Sequence, residues 1–170
     1  MAVVVPHGVL FRGAAEGRIR RAMIEENLLD AVVGLPGNLF PTTSIPVAIL
    51  VFDRSREKGG KNHNRKDVIF IDASRDYLPG KNQNALSDEH IQKIVKTVKA
   101  RKAIEKYAQV AAFDEIKEND FNLNIPRYVD TFEEEVEIDI DAVQLEIDQL
   151  EKELVAVRAK MAVMLKNIER

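Results

Sequence analysis

The chain of 170 residues contains no cysteine, and its hydrophobic runs are all short. Without thiols it forms neither disulfides nor thiolate metal sites, which fits a reducing compartment. None of its apolar runs approaches the roughly 20 residues that a transmembrane helix needs. The apolar residues 2–6 follow no basic segment of the kind that opens a secretory signal. The composition therefore predicts a cytoplasmic protein of one domain, with room for an appendage.

Common catalytic and cofactor motifs are also missing. The sequence contains no G-x-G-x-x-G turn, P-loop, H-E-x-x-H helix or G-x-S-x-G elbow. Its histidines, His7, His63 and His90, are far apart in sequence, so they do not indicate a metal site. His7 follows a predicted strand, where a structural or solvent-facing role is favoured over a catalytic one.

Acidic residues are concentrated towards the C-terminus. Residues 130–170 hold 12 acidic and 5 basic side chains, a net charge of −7. Residues 1–129 hold 16 acidic and 20 basic side chains, a net charge of +4. The first part therefore suits contact with a polyanion, and the acidic tail suits contact with another protein.

Short β-branched runs predict a buried sheet. Four strands are predicted, at residues 2–6, 30–35, 46–53 and 67–73. An amphipathic helix between the first two strands makes a β-α-β unit, whose strands are expected to be parallel. The polar segment 54–66 contains Gly59-Gly60 and predicts a mobile hairpin loop between the last two strands.

Two further helices are expected after the strands. Residues 87–107 have Ser87 as a candidate N-cap, and the apolar face of this helix is formed by Ile91, Ile94, Val95 and Val98. A short helix is predicted near 113–119. Residues 120–131 then read as an extended connector, because a proline disfavours helix at the residue before it.

The C-terminal segment carries the most regular pattern. Its apolar residues alternate spacings of four and three residues, over about four heptads: Val143, Ile147, Leu150, Leu154, Val157, Met161, Met164 and Ile168. This pattern predicts a long helix over 142–169, with Asp141 as N-cap and Gln144 completing a capping box. Such a narrow apolar stripe needs a partner, which is a second copy, a different protein or the chain's own domain.

The segment "LPGNLFPTTSIP" at 35–46 is apolar yet contains three prolines and a glycine. Proline does not fit a central strand or a helix interior, so this segment is expected to be a loop. Its apolar character has two explanations. The loop is either a buried turn or a surface that meets an apolar ligand.

Three segments, taken in order, resemble one family. They are residues 3–54, which begin "VVVPHGVLFRG", residues 122–131, "NLNIPRYVDT", and residues 138–154, "IDIDAVQLEIDQLEKEL". This order resembles the C-terminal part of the modification subunit of type I restriction–modification systems. That family consists of adenine-N6 DNA methyltransferases that use S-adenosylmethionine. The resemblance covers essentially the whole chain, and the order of the segments makes it specific.

The resemblance implies an α/β fold, namely the C-terminal half of a Rossmann-like methyltransferase sheet followed by a long heptad helix. The parts would be a partial methyltransferase domain at 1–120, an extended connector at 121–140 and a docking helix at 141–170. Strand 46–53 would be antiparallel and inserted between its two predecessors, with strand 67–73 added at the sheet edge. The edge beside strand 2–6 would be unusually exposed, or it would be covered by a second copy of the chain.

The family's cofactor motif and its Asn-Pro-Pro-Phe catalytic motif are absent from this sequence. The resemblance therefore implies a fragment of a DNA methyltransferase, whether a truncated piece or a broken gene product. We expect S-adenosylmethionine to serve the full-length family but not to bind this chain, which would not methylate DNA alone.

The resemblance also suggests residues that contact DNA. In related methyltransferases the loop before the last strand lies beside the flipped base, so Phe40 would form a wall of the base pocket, flanked by Leu39 and Thr43. The alternative is that Phe40 packs under its own loop. The basic loop would contact DNA phosphates through Arg54, Arg56, Lys58, Lys61, Arg65 and Lys66, or it would be a solvated loop tip.

The expected partners are the specificity and restriction subunits of a type I system and double-stranded DNA, without a membrane. The C-terminal helix would dock on the specificity subunit, and Arg127 and Tyr128 would tether it to the body. A competing hypothesis is a helical interaction module that self-associates through 142–169. An enzyme with a phosphate site has no motif to support it.

Overall fold

The computed structural model describes residues 1–131 and 140–168. The chain forms two compact units that divide between Phe132 and Glu133. The first is an α/β unit built on a five-stranded sheet. The second contains one long helix.

Strands and helices alternate through the first unit. Its strands are β1 (Ala2–Pro6), β2 (Leu29–Gly34), β3 (Val47–Phe52), β4 (Val68–Asp72) and β5 (Ala108–Ala111). Its helices are α1 (Ala14–Glu25), α2 (Asp88–Ala100) and α3 (Phe113–Glu118), with short 3-10 turns at His7–Leu10, Arg54–Arg56 and Ile125–Arg127. The second unit contributes α4 (Ile140–Ile168).

The strand order in the sheet is β1-β3-β2-β4-β5. β3 is antiparallel to both of its neighbours, with Ile49 opposite Val4 and Leu50 opposite Val32. β2 and β4 are parallel, so β1, β2 and β4 all point the same way. The insertion of the third strand between its two predecessors is therefore confirmed.

Three expectations from the sequence are wrong. β4 extends the sheet beyond β2, but it is not an edge strand, because β5 pairs with its other side. The segment after β3 is not a hairpin loop, because β2 lies between β3 and β4. The helix predicted for 87–107 ends at Ala100, because Arg101 adopts a left-handed conformation with φ of 48° and the chain then turns into β5.

One face of the sheet is covered by α1, α3 and the segment that follows α3. Leu123 and Ile125 are buried in this core. The ring of Tyr128 stacks on Phe70 of β4 with centroids 3.9 Å apart, and its hydroxyl donates to the Asn122 carbonyl at 2.6 Å. Residues 121–129 therefore belong to the body, which corrects the extended connector predicted at 121–140. The rest of that connector, residues 132–139, lies outside the described residues.

The other face of the sheet is covered by α2. Ile94 and Val98 pack against the core, whereas Ile91 and Val95 are exposed, so half of the predicted apolar face is buried. The predicted N-cap is confirmed, because the Ser87 hydroxyl accepts from the backbone of His90 at 3.2 Å. The imidazole of His90 accepts in return from the Ser87 amide, which completes a capping box.

The outer edge of β1 pairs with no strand among the described residues. Val3 and Val4 are 38% and 54% exposed there. A groove of about 230 Å³ runs between β1 and α1, and its lining is almost wholly apolar. The exposure expected at this edge is thus present.

Charged side chains meet at the amino ends of β2 and β4. Asp30 accepts from Arg56 Nη1 at 2.6 Å and from Arg101 Nη1 at 2.8 Å. Arg101 also donates to the Asp67 carboxylate at 3.0 Å, and Arg56 donates to the carbonyl oxygens of Arg65 and Asp67. Because the side chain of Arg56 is only 1% exposed, this Asp30 network fastens the loop after β3 to the sheet.

The second unit is the predicted long helix. It begins at Ile140, so Asp141 lies in the first turn and is not the N-cap, and the Gln144 amide bonds Asp148 at 3.0 Å instead of closing a capping box. The stripe residues Val143, Ile147, Leu150, Leu154, Val157, Met161 and Met164 are 43–64% exposed. The side chain of Ile168 lies outside the described residues. No helix in the described parts is long and apolar enough to cross a membrane.

Replacing Arg56 with methionine should lower the free energy of unfolding by about 3 kcal/mol, because Asp30 would lose a buried partner. The matched control is Arg54→Met, since the Arg54 side chain is 87% exposed and pairs with the nearby Glu57. The control should have little effect, because an ion pair exposed to water contributes little to stability. Urea unfolding followed by circular dichroism measures both, and equal losses would contradict a special role for Arg56.

Candidate functional site

The carboxyl ends of β1, β2 and β4 meet at one edge of the sheet, because these three strands point the same way. The segments that leave this edge are the turn at His7–Leu10, the loop at 35–46 and the segment at 73–87. Open α/β sheets bind their ligands at the carboxyl ends of their strands. This edge is therefore the candidate site.

The loop at 35–46 is folded back on itself. The Leu35 amide bonds the Val47 carbonyl at 2.9 Å, and the Asn38 amide bonds the Ser44 carbonyl at 3.1 Å. A Cβ atom at Gly37 would lie 2.8 Å from the Ser44 carbonyl oxygen, so only glycine permits this approach. Asn38 has a φ of 57°, a conformation that asparagine tolerates well.

Phe40 lies at the tip of this loop and is 42% exposed. Leu39 beside it is partly buried against the core of the α2 face. The Thr43 amide bonds the Phe40 carbonyl at 3.3 Å, and the Thr43 hydroxyl accepts from the Ile45 amide at 3.1 Å. The three residues suggested by the sequence are therefore together. Leu39 packs the loop against the core, and Thr43 holds the turn through its hydrogen bonds. The Phe40 ring is partly exposed to solvent.

A hairpin after β4 adjoins the loop and was not singled out from the sequence. Leu78 and Ala85 exchange backbone hydrogen bonds at 2.8 and 3.0 Å. Gln83 and Asn84, next to Ala85, bond the backbone of the loop just before Phe40. Amide side chains between a glycine and an alanine are common in any exposed turn, so the sequence alone does not reveal this contact.

His7 lies at the same edge, at the end of β1. Its Nε2 atom is buried and has no hydrogen-bond partner in the described part of the chain. This atom lies 3.7 Å from the point where a Cβ of Gly34 would stand. Burial lowers the pKa of His7, and the negative charge of Asp72 opposes this shift only in part. His7 is thus held in its neutral form beside the start of the loop.

The basic loop lies at the other end of the sheet. It follows the C-terminus of the antiparallel β3 and therefore meets the amino ends of β2 and β4. A strand of this length spans roughly 17 Å, which separates the basic loop from Phe40.

The six residues for which phosphate contacts are expected differ in exposure. Arg56 is buried in the Asp30 network, and Arg65 is 3.8 Å from the same carboxylate. Arg54, Lys58, Lys61 and Lys66 are exposed, but they are at the end of the sheet opposite the candidate base pocket. The loop is also well organised, because Asn62 bonds Ser55 at 2.8 Å and so closes the turn.

The apolar groove beside β1 does not fit S-adenosylmethionine. The apolar groove beside β1 has only Glu16 and Arg20 as charged lining residues. Arg20 already donates to the carbonyl oxygens of Phe121, Val9 and Arg12, which leaves the groove without the polar groups that a charged, hydroxylated cofactor needs. No cluster of side chains in the described parts could hold a metal ion either.

Comparison with known proteins finds a consistent set of relatives. A family model described as N-6 DNA methylase matches residues 1–137. The chain is 33% identical over 168 residues to the type I restriction enzyme MpnII methylase subunit of Mycoplasma pneumoniae. It is 36% identical over 156 residues to the MjaVIII methylase subunit of Methanocaldococcus jannaschii. The alignments cover 99% and 89% of this chain but only 30% and 26% of the relatives.

Solved structures from type I restriction–modification systems also match this chain over part of their length. The methyltransferase subunit of a type I restriction–modification system from Streptococcus thermophilus matches with a TM-score of 0.69 and 53% identity, covering 76% of this chain and 26% of that one. A structure from work on complex assembly in the type I system matches with a TM-score of 0.56 and 24% identity, covering 98% of this chain and 35% of that one. The second match shows a likeness of fold alone. This chain spans about a third or less of each protein.

Acidification should destabilise the chain through His7. Because burial lowers the pKa of His7 below its usual 6.5, the unfolded chain binds a proton more readily than the folded chain. Stability should therefore fall as the pH drops below about 6.5, and this group should have no effect at higher pH. His7→Gln should flatten the dependence of urea unfolding between about pH 7.5 and 5.5, whereas the exposed-site control His63→Gln should keep it. An unchanged dependence in His7→Gln would contradict this assignment.

Proposed function

The chain belongs to the N-6 DNA methylase family, and we propose that it supplies the target-base wall and the docking helix of a DNA adenine-N6 methyltransferase in a type I restriction–modification system. The proposed partners are the specificity and restriction subunits and double-stranded DNA. The proposed location is the cytoplasm.

The exposed ring of Phe40 is the observation that carries this proposal. Enzymes that modify a base within DNA must take the base out of the duplex and hold it in a pocket. Stacking on an aromatic side chain supplies about 1–3 kcal/mol per base and suits any base that has left the helix. Phe40 lies on a hydrogen-bonded loop at the carboxyl ends of the parallel strands, where the ligands of open α/β sheets bind.

The chain's own part in methylation is to receive the adenine and to shield it from water. S-adenosylmethionine supplies the methyl group in this family, but the apolar groove beside β1 does not fit it. The sequence also lacks the Asn-Pro-Pro-Phe motif that the resemblance leads one to expect. We therefore propose that this chain is not catalytically competent alone and acts together with residues that bind the cofactor.

The stripe of α4 is the proposed docking surface. Its residues are exposed over most of the helix, and a narrow apolar seam on a long helix is stabilised by a second helix. The acidic excess of residues 130–170 favours a partner with basic flanking positions. In the proposed assembly that partner is the specificity subunit, and the alternative is a second copy of this chain.

Loss of the Phe40 ring should weaken the binding of an unpaired adenine. The probe is a duplex oligonucleotide with one extrahelical adenine, compared with the fully paired duplex by fluorescence anisotropy. The chain should prefer the duplex with the extrahelical adenine, and Phe40→Ala should reduce its affinity by roughly 5- to 150-fold, which corresponds to one stacking contact.

Two variants make this measurement specific. Phe40→Tyr keeps the ring and should keep the preference. Phe11→Ala removes another exposed aromatic ring, which is 49% exposed and lies outside the loop, and should change nothing. Equal binding of the two duplexes by the unmodified chain would refute the role of the loop as a base wall.

Light scattering should report a monomer when the chain is purified without other subunits, because the docking surface is proposed to serve a different protein. A dimer that dissociates on Leu150→Asp with Val157→Asp, but not on the control Lys152→Asp, would establish self-association instead. Leu150 and Val157 belong to the apolar stripe, so aspartate at either position places a charge in it. Lys152 lies outside the stripe.

A further inference from the structure

Two amide side chains of the hairpin after β4 hold the backbone that leads into Phe40. The Asn84 side chain donates to the Gly37 carbonyl at 3.0 Å, and the Asn84 backbone amide donates to the Asn38 carbonyl at 2.8 Å. The Gln83 side chain donates to the Leu39 carbonyl. Three consecutive carbonyl groups immediately before Phe40 are therefore all bonded from one neighbouring segment.

The loop has few means of holding Phe40 by itself. Pro41 follows Phe40 and has no amide hydrogen to donate. Between Asn38 and Ser44 the described backbone bonds inside the loop are those from Asn38 to Ser44 and from Thr43 to Phe40. The direction in which the Phe40 ring points therefore depends on the bonds from the hairpin.

The hairpin is itself anchored. A Cβ atom at Gly80 would lie 2.1 Å from the Gln83 carbonyl oxygen, so the turn closes tightly around this glycine. At the base of the hairpin, Asp76 pairs with Lys93 of α2 at 2.8 Å. Lys93 also lies over the ring of Tyr107, 3.8 Å from its centroid. These contacts connect α2 through the hairpin to the loop.

We propose that Gln83 and Asn84 are positioning residues that hold the loop in the conformation in which Phe40 meets an extrahelical adenine. This inference rests on the proposed function of Phe40 and names the residues that prepare it. A surface ring that is already oriented loses less conformational freedom when it stacks on a base, so the affinity for that base is higher.

The experiment uses a tryptophan reporter, because the chain contains no tryptophan. Phe40→Trp keeps an aromatic ring for stacking and introduces a single fluorophore at the loop tip. Asn84→Ala and Gln83→Ala are then made in this background. The matched control is Asn82→Ala, since the side chain of Asn82 takes no part in these bonds.

Each alanine variant should add a fast component to the anisotropy decay of the tryptophan, because the loop tip is freed. Each should also weaken binding of the duplex with the extrahelical adenine by about 3- to 10-fold, the effect of one lost hydrogen bond. The control should leave both measurements unchanged. Asn84→Asp keeps the side-chain size but removes the donor to Gly37, so it should behave like Asn84→Ala.

The outcomes separate the two proposals. If Asn84→Ala and Gln83→Ala change neither the decay nor the affinity, the positioning role is overturned, whatever Phe40 does. If they lower only the melting temperature, the bonds are merely structural and the positioning role is again overturned. If the Phe40→Trp chain with an intact hairpin does not prefer the extrahelical adenine, the proposed function fails, while a freed tryptophan in the variants still supports the positioning role.

Discussion

The carboxylate of Asp30 is the contact on which the amino end of the sheet depends. Asp30 lies at the start of β2 and forms ion pairs with Arg56 of the loop after β3 and with Arg101 at the end of α2. A carboxylate and a guanidinium removed from water are stable only when they are well paired and hydrogen-bonded. The network pairs both guanidinium groups with carboxylates, although Arg56 Nε has no hydrogen-bond partner among the described residues. It fixes the amino end of the sheet, and the proposed site lies at the opposite end, where the parallel strands finish.

Much of the fold follows from the pattern of apolar residues. The first four strands are short apolar runs rich in β-branched residues, and β2, β3 and β4 show the burial that such runs predict. β1 is the exception, because it is mostly exposed at the sheet edge although its sequence predicts a buried strand. β5 is only "AQVA", which is too short to separate from the end of the preceding helix. The early end of α2 was missed for a related reason, since it depends on the left-handed conformation of Arg101 and not on its residue type.

Counting charges along the sequence does not show which basic side chains of the loop after β3 are exposed. Arg54 and Arg56 have the same side chain and are two residues apart, yet one is 87% exposed and the other 1%. The difference comes from Asp30, which is 26 residues away from Arg56, and no local pattern shows that pairing. Phe40, Leu39 and Thr43 were suggested by resemblance to a family. Gln83 and Asn84 were not, because a loop-to-loop contact leaves no periodic trace in the sequence.

The two ends of the sheet are stabilised by different kinds of interaction. The amino end is held by full charges, whereas the loop at Phe40 is held by neutral amide groups that donate to carbonyl oxygens. Dissolved ions screen attraction between exposed charges over a Debye length of about 8 Å at physiological ionic strength, but they have little effect on bonds between neutral groups. Protein–DNA affinity itself changes steeply with ionic strength. The Phe40 loop can therefore keep its geometry over the range of ionic strength in which the proposed complex with DNA would weaken.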